Sequence, residues 1–404
     1  MIHETINYYN NNGSPVYICS LDATKAFDSC NWHVMFQKLL EKGIPRTIIQ
    51  YLISSYLQSE STVMYNGCKS QPFALSQGVK QGSLLSPYLY NIYTENLIDI
   101  LKESQMGTCL PDGTNTSVIA FADDLILMSP TLHGLQSLIN KCSAYGQIHN
   151  IAFNHRKTQF VVSGKSYFRN PVLVLDREFV LPQDTLKHLG FIWKKNSHKL
   201  QLKNHMEYRL NEMWSVTSSL ISSGVRHLHP NQIVTLYKSI VIPKLLYGLE
   251  IINITHTEKQ YLNTQARCAL KHLFGVSKHA KNLLNLYYRL QDITILLDSR
   301  KLSFIHQLSQ NKDTSKYTLH LISLSNKDRR YSILRNLHDT CVAYDKNFVN
   351  CFFDRQTTPT ISPVTQDTSW NTEKLNSIHD CIQNWHLHEK RISLKEILEA
   401  EIKR

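Results

Sequence analysis

Three aspartates lie where their carboxylates could share a cation. Asp22 follows an apolar run that begins at Val16, and Asp123 and Asp124 interrupt the apolar run 118–128. Two adjacent acids repel each other unless a cation offsets their charge. If the two runs are neighbouring strands, Asp22 meets the acid pair, and three carboxylates together form a hard-oxygen site suited to Mg²⁺. A pair of such ions is a general device for in-line phosphoryl transfer.

Each acid also has an ordinary structural interpretation. Asp-Asp is common in turns, and Asp22 could cap a following helix through a backbone N–H. Taken one at a time, these features do not distinguish a turn from a metal site. The nearby Asp28 is expected to cap the helix that follows the first strand, and we do not expect it to bind metal.

The pattern of apolar residues predicts the elements that would position these acids. Val16–Leu21 is a predicted strand, and 118–128 predicts a hairpin with Asp123-Asp124 at its tip. The other elements predicted up to residue 193 are helices from Trp32 to about Leu40, from Arg46 to Leu57, from Pro87 to about Lys102 and from Leu132 to Ile148, a fold-back at Asp176–Glu178, and a short strand from His188 to Trp193.

Beyond about Lys199 the pattern becomes helical. Pro230 is placed to open a helix, and helical spacing of apolar residues continues to about Gln310. Residues 311–370 are polar, and a charged helix is predicted from Ser393 to Arg404. One predicted helical stripe contains Met206, Leu210, Met213 and Leu220.

Composition narrows the class of protein and of partner. The 404 residues allow two or three domains, and 44 Lys and Arg against 32 Asp and Glu give a net charge of +12, which favours an anionic polymer as partner. The nine cysteines form no CxxC pair, so we expect reduced thiols in an intracellular compartment, nucleus or cytoplasm. No signal peptide and no membrane-spanning run of about twenty apolar residues is found in the sequence.

Five segments resemble, in order, the motifs of one enzyme family, the reverse transcriptases of non-LTR (LINE-like) retrotransposons. The resemblance covers about residues 10–290 and is strongest over 16–193. The segments are Ser20-Leu21-Asp22-Ala23-Thr24-Lys25-Ala26-Phe27-Asp28 (motif A), Gln77-Gly78-Val79-Lys80-Gln81-Gly82-Ser83-Leu84-Leu85-Ser86-Pro87 (motif B), Ala120-Phe121-Ala122-Asp123-Asp124-Leu125 (motif C), Asn154-His155-Arg156-Lys157-Thr158 (motif D) and His188-Leu189-Gly190 (motif E).

The resemblance implies a metal site. Asp22 and Asp123 would bind two Mg²⁺, or Mn²⁺, with help from the backbone carbonyl of Ala23, and Asp124 would be the third acid of the cluster. The implied reaction is DNA synthesis directed by an RNA template, with a DNA primer and deoxynucleoside triphosphates as substrates.

The resemblance also implies residues that would contact the substrate. Phe27 would block a ribose 2′-hydroxyl, Gln81 and Gly82 would contact the incoming nucleotide, and Lys157 would protonate the departing pyrophosphate. Each has an alternative: core packing for Phe27, a simple turn for the glycine-containing loop, and an ordinary solvated lysine for Lys157.

The implied fold is α+β, a right-hand polymerase palm with an antiparallel sheet, followed by a helical thumb and a helical C-terminal region. We expect a remnant of the fingers connection in 1–15, the palm in 16–198, the thumb in 199–290, and a helical region in 291–404 with the polar insert 311–370. Since only about fifteen residues precede the first strand, we expect the fingers to be missing and polymerase activity to be weak or absent in this chain alone.

Three other interpretations compete with this one. They are a non-catalytic nucleic-acid-binding remnant with the same fold, a different palm enzyme such as a nucleotide cyclase, and a basic structural protein in which Asp22 and Asp123 do not meet. The basic stretch Lys194–Arg209 could follow a nucleic-acid backbone or be a solvated face. We set aside zinc binding by Cys341, Cys351, His379, Cys381, His386 and His388, whose spacing matches no zinc knuckle.

Overall fold

A computed structural model describes residues 1–310 except 111–112, 203, 281, 283 and 286–287. The chain divides into two compact units, Met1–Asn204 and a second that begins at His205. The predicted helix 393–404, the polar insert and the C-terminal cysteines and histidines lie outside the described residues. No described helix has the length and apolar character needed to cross a membrane.

The first unit contains both helices and strands, and the described elements of the second unit are helical. The helices are α1 (Ile2–Asn11), α2 (Trp32–Glu41), α3 (Arg46–Leu57), α4 (Ser86–Glu103), α5 (Leu132–His149), α6 (His205–Ser222), α7 (Pro230–Leu236), α8 (Ile242–Leu246), α9 (His256–Leu273) and α10 (Ile293–Gln310). The strands are β1 (Val16–Thr24), β2 (Glu60–Ser61), β3 (Met64–Tyr65), β4 (Cys68–Lys69), β5 (Phe73–Ala74), β6 (Val118–Phe121), β7 (Asp124–Ser129), β8 (Ala152–Phe153), β9 (Gln159–Ser163), β10 (Leu173–Leu175), β11 (Glu178–Val180), β12 (Thr185–His188), β13 (Phe191–Asn196) and β14 (Lys199–Gln201).

A five-stranded antiparallel sheet forms the centre of the first unit. Strand β1 pairs with β7 on one side and with β9 and β8 on the other, and β6 pairs with β7. Tyr17, Cys19 and Leu21 alternate along β1 and enter the apolar core together with residues of α2, α4 and α5. The α+β class with an antiparallel sheet is therefore confirmed, and the predicted strand from Val16 continues to Thr24.

A buried lysine joins the three helices that cover this sheet. The Lys38 ammonium donates to the Tyr93 carbonyl oxygen at 2.6 Å and to the Tyr145 hydroxyl at 2.8 Å. It also lies over both aromatic rings, at 5.6 and 5.5 Å from their centroids. Burial lowers the pKa of Lys38, and these acceptors and ring faces compensate for the water that the charge has lost.

The expected strand from His188 to Trp193 is wrong in one respect, because this segment contains the turn of a hairpin. β12 ends at His188 and β13 begins at Phe191, with Leu189 and Gly190 between them at φ +46° and +74°. Two residues with positive φ make the tight turn that matches the twist of a hairpin. The Gln159 side chain joins this hairpin to the main sheet, since it accepts from the Lys187 N–H at 2.8 Å.

The second unit is helical where it is described. Pro230 opens α7 as predicted, and a π-helix over Tyr237–Val241 continues it. Within the predicted stripe of α6, Leu210 and Met213 are buried, but so is the charged Arg209, which the apolar pattern did not indicate. Its guanidinium stacks 4.5 Å from the Tyr247 ring centroid, a contact between residues distant in sequence.

His188 generates a prediction about acid stability. It is 4% exposed, neither ring nitrogen is hydrogen-bonded, and burial lowers its pKa from 6.5 to about 4. Between these two values the unfolded chain takes up a proton that the folded chain excludes. The stabilisation is therefore complete above pH 6.5 and is lost towards pH 4, by at most about 1.4 kcal/mol per pH unit.

We expect His188→Leu to lose less stability than the native chain between pH 7 and pH 4.5, as measured by urea unfolding across that range. The exposed His33 provides the control, because His33→Leu removes an imidazole that is already solvated. Identical pH profiles for the native chain and His188→Leu would contradict the prediction.

Candidate active site

The register between β1 and β7 brings the predicted acids together. Asp22 lies directly opposite Asp124 in the antiparallel pair. Directly opposed residues project their side chains from the same face of a sheet, with Cα atoms about 4.5–5.5 Å apart. Since Leu21 and Leu125 belong to the core, this acidic face is the one opposite the helices.

The hairpin tip differs by one residue from the prediction. Its two-residue loop is Ala122-Asp123, and Asp124 is already the first residue of β7. Ala122 has φ +52°, a conformation that costs a residue with a side chain of the order of 1 kcal/mol. The tight turn leaves Asp123 exposed while the sheet fixes Asp124 beside Asp22.

The pKa of Asp124 reflects its crowding by the other two acids. Burial raises the pKa of Asp124, and the negative charges of Asp123 and Asp22 raise it further. A cation near this group would reverse that effect, because it favours the ionised form of every neighbouring carboxyl.

A loop between β8 and β9 places Lys157 beside Asp22. The Asn154 N–H donates to the Asp22 carbonyl oxygen at 2.9 Å, and the Asn154 carbonyl accepts from the Lys157 and Thr158 N–H groups at 3.2 and 2.9 Å. Pairing with β1 resumes where Gln159 faces Ser20, so 154–158 form an outward bulge. The Lys157 Nζ lies 3.3 Å from Asp22 Oδ2.

The loop of motif B is fastened by its backbone to the turn after β1. The Gly78 N–H donates to the Cys30 carbonyl at 2.8 Å, the Val79 N–H donates to the Phe27 carbonyl at 2.7 Å, and Trp32 Nε1 donates to the Gly78 carbonyl at 2.6 Å. Gly78 has φ +91°, and a Cβ there would lie 2.9 Å from the Asp28 carbonyl oxygen. Only glycine meets both requirements.

Asp28 is not the helix cap that we expected. The α2 helix is capped by Asn31, whose side-chain oxygen accepts from the His33 N–H at 2.9 Å. Asp28 instead accepts from Gln81 Nε2 at 3.1 Å, which holds the predicted nucleotide contact against motif A. The cap residue lies three positions after Asp28, so Asp28 is left for this long-range contact.

Phe27 packs against the fold and also borders the cavity. It is half-buried and packs against Tyr90 with ring centroids 5.0 Å apart, yet it also lines the open cavity beside Asp22. The packing holds the ring in place, and the side chain remains partly exposed where it borders the cavity.

A cavity of about 300 Å³ brings most of the predicted residues to one place. Asp124 and Gly82 do not line it. Asp28 and Asn154 line it although they were not predicted as site residues; their place within motifs A and D was the available signal. The lining residues are Asp22, Ala23, Thr24, Lys25, Ala26, Phe27, Asp28, Gln81, Asp123, Asn154 and Lys157.

The donor set suits a divalent cation, although it is not a preassembled coordination shell. Among the described residues, no three Asp, Glu, His or Cys side chains are grouped as a formed metal site. Asp22 and Asp123 nonetheless line one cavity, and Asp124 neighbours both. Carboxylate oxygens are the ligands that Mg²⁺ and Mn²⁺ prefer. The residues therefore fit such an ion chemically.

Comparison with known proteins identifies the class of this domain. Residues 1–193 match the family model of reverse transcriptase (RNA-dependent DNA polymerase). This match confirms the resemblance to reverse transcriptases that the five motifs predicted.

The relatives belong to non-LTR retrotransposons, which confirms the predicted resemblance. A Pol polyprotein of retrotransposable element R2 from Popillia japonica is 24% identical over 72% of this chain and 48% of its own length. That of element R2DM from Drosophila melanogaster is 28% identical over 58% of this chain and 22% of its own length. The RNA-directed DNA polymerase of the mobile element jockey from Drosophila funebris is 24% identical over 60% of this chain and 26% of its own length.

This chain thus spans less than half the length of these relatives. Among solved structures, apo telomerase from Candida tropicalis aligns with 93% of this chain and 55% of its own, at 12% identity and a TM-score of 0.40.

The fastening of the motif B loop generates a stability prediction with an internal control. Gly78→Ala and Gly82→Ala both introduce a side chain at positive φ, but a Cβ at position 82 has no atom within 4 Å. We expect Gly82→Ala to cost about 1 kcal/mol and Gly78→Ala about 2–4 kcal/mol, because only the latter overlaps the Asp28 backbone.

The free energies of unfolding from urea titration would measure this difference. Equal losses for the two variants would show that the contact between Gly78 and Asp28 does not hold the loop.

Proposed function

We propose that this chain catalyses RNA-directed DNA synthesis at the cavity beside Asp22, by nucleotidyl transfer assisted by two divalent cations. One observation carries the proposal: antiparallel pairing sets Asp22 opposite Asp124, with Asp123 at the adjoining turn. Asp22 and Asp123, from two distant segments, line an open cavity, and Asp124 is paired beside them, which supplies the cluster of acids that a phosphoryl-transfer site requires.

The acids would hold the cations and the primer terminus in line with the triphosphate. Asp22 and Asp123 would be the ligands, assisted by the Ala23 carbonyl, and Asp124 would add negative charge from the sheet. When bound, Mg²⁺ or Mn²⁺ supplies the charge that lowers the pKa of the primer 3′-hydroxyl and stabilises the leaving pyrophosphate. The rigid pairing of β1 with β7 provides the positioning that the reaction needs.

Substrate contacts follow from the other walls of the cavity. Gln81, held by Asp28, would contact the incoming nucleotide, with Gly82 allowing the backbone to approach it. Phe27, which borders the cavity, would exclude a ribose 2′-hydroxyl. Lys157 would transfer its ammonium proton to a pyrophosphate oxygen as the bond between the α-phosphorus and the bridging oxygen breaks.

The partners in this proposal are an RNA template, a DNA primer and deoxynucleoside triphosphates. The net charge of +12 supports binding to nucleic acid through phosphate contacts. We propose residues 16–198 as the palm and 199–290 as the thumb. The observed unit boundary after Asn204 and the helical composition of the second unit support this division.

Primer extension on an RNA template tests the proposed reaction. We expect the full chain alone to extend a DNA primer only weakly in Mg²⁺ or Mn²⁺, and Asp123→Ala to reduce that rate at least about 100-fold, because a cation ligand is lost. Asp99→Ala, which removes an exposed acid of α4 outside the cavity, is expected to retain the native rate.

Equal rates for Asp123→Ala and the native chain would exclude this site as the centre of the reaction. Tight binding of primer–template without synthesis by the native chain, under either metal, would favour the non-catalytic remnant instead.

A second prediction concerns sugar selection by Phe27. Phe27→Val opens the cavity wall, so we expect preference for deoxynucleotides over ribonucleotides to fall about 10- to 100-fold. Phe27→Tyr keeps the bulk of the ring and should preserve the preference. Single-nucleotide incorporation efficiencies with both sugars measure this ratio; an unchanged ratio in Phe27→Val would assign Phe27 to packing alone.

A further inference from the structure

The ion pair between Lys157 and Asp22 has a consequence for cation binding. The Lys157 Nζ lies 3.3 Å from Asp22 Oδ2, while the lysine side chain remains 66% exposed. Most of this side chain is therefore solvated, and the Asp22 carboxylate is the ion-pair partner of its ammonium.

The backbone of the loop aims Lys157 at this position. Asn154 is anchored to the Asp22 carbonyl, and the Arg156 N–H donates to Asn154 Oδ1 at 3.0 Å, which closes the turn that leads to Lys157. The bulge places the lysine opposite the acid, whereas a regular strand would carry it away along β1. The contact thus follows from the fold and does not depend on side-chain flexibility alone.

Charge balance explains why an ammonium occupies this place. Asp22, Asp28 and Asp123 line the same cavity, and Lys157 and Lys25 are the cationic residues among its lining. Only Lys157 makes an ion pair with one of these acids among the described residues. A divalent cation on Asp22 would lie within a few ångströms of the ammonium, and the two positive charges would repel each other.

We propose that Lys157 and a divalent cation compete for Asp22, so that cation loading displaces the ammonium and frees it towards the leaving group. This inference rests on the proposed function and assigns Lys157 an additional role, as an internal counter-ion of the unloaded site. Lys157 could then donate its proton to the leaving group only after cations occupy the carboxylates. Cation loading would in this way control when the general acid is available.

Binding of Mn²⁺ to the full chain, without nucleotide or nucleic acid, tests the competition. Isothermal titration calorimetry and the electron paramagnetic resonance signal of free Mn²⁺ both report the dissociation constant. We expect Lys157→Met to bind Mn²⁺ about 5- to 10-fold more tightly than the native chain, because the competing charge is removed. Lys157→Arg keeps the charge and should bind like the native chain.

Lys25→Met is the matched control, because it removes one positive charge from the same cavity without removing an ion pair. We expect its Mn²⁺ affinity to change by less than about twofold, since an exposed charge without a direct contact is strongly screened. Asp22→Asn should weaken binding in every background. Thermal unfolding of each variant verifies that the exposed substitutions leave the chain folded.

Four outcomes would overturn the inference. The first two are an unchanged or weaker Mn²⁺ affinity in Lys157→Met, and a gain in affinity in Lys25→Met as large as that in Lys157→Met. The others are tighter binding that persists when Asp22→Asn is combined with Lys157→Met, and no detectable Mn²⁺ binding by either the native chain or Lys157→Met. Primer extension by the native chain together with an unchanged affinity in Lys157→Met would remove this inference and leave the proposed function standing. Tighter binding in Lys157→Met with no synthesis by the native chain would do the reverse.

Discussion

The site depends above all on the register between β1 and β7. Side chains alternate across a strand, so a slip of one residue would turn Asp22 towards the helices and Leu21 towards the cavity. Such a slip would bury a carboxylate in an apolar core and expose the core residues. The hydrophobic alternation that stabilises the sheet therefore also holds Asp22 and Asp124 on the same face.

That arrangement has an electrostatic cost that the fold tolerates. The raised pKa of Asp124 reports both burial and the repulsion of its two acidic neighbours, which would separate on a flexible chain. Here the pairing of two strands keeps them close, and the ammonium of Lys157 offsets part of the charge. The buried remainder of the sheet is stable enough to offset this local repulsion at the site.

The sequence made the convergence of the acids an expectation, because two apolar runs indicated strands that carry Asp22 and the acid pair, and the ordered motifs resembled those of one polymerase family. It could not indicate the partner of Asp28, because the Gln81 side chain that donates to Asp28 belongs to a loop distant in sequence. Nor could it separate a strand from a hairpin at Leu189-Gly190. A leucine at positive φ is unusual, and the turn is stabilised by contacts that are distant in sequence.

The cavity is assembled from four segments of the chain, but three of them are fastened to one strand or its immediate continuation. β7 pairs with β1, the bulge before β9 is bonded to the Asp22 carbonyl, and the motif B loop is bonded to the turn after β1. A small displacement of one segment therefore need not displace the others, because each is hydrogen-bonded directly to β1 or to the turn after it. A site built in this way can keep its acids in position while Lys157 and Gln81, both exposed, move with a substrate.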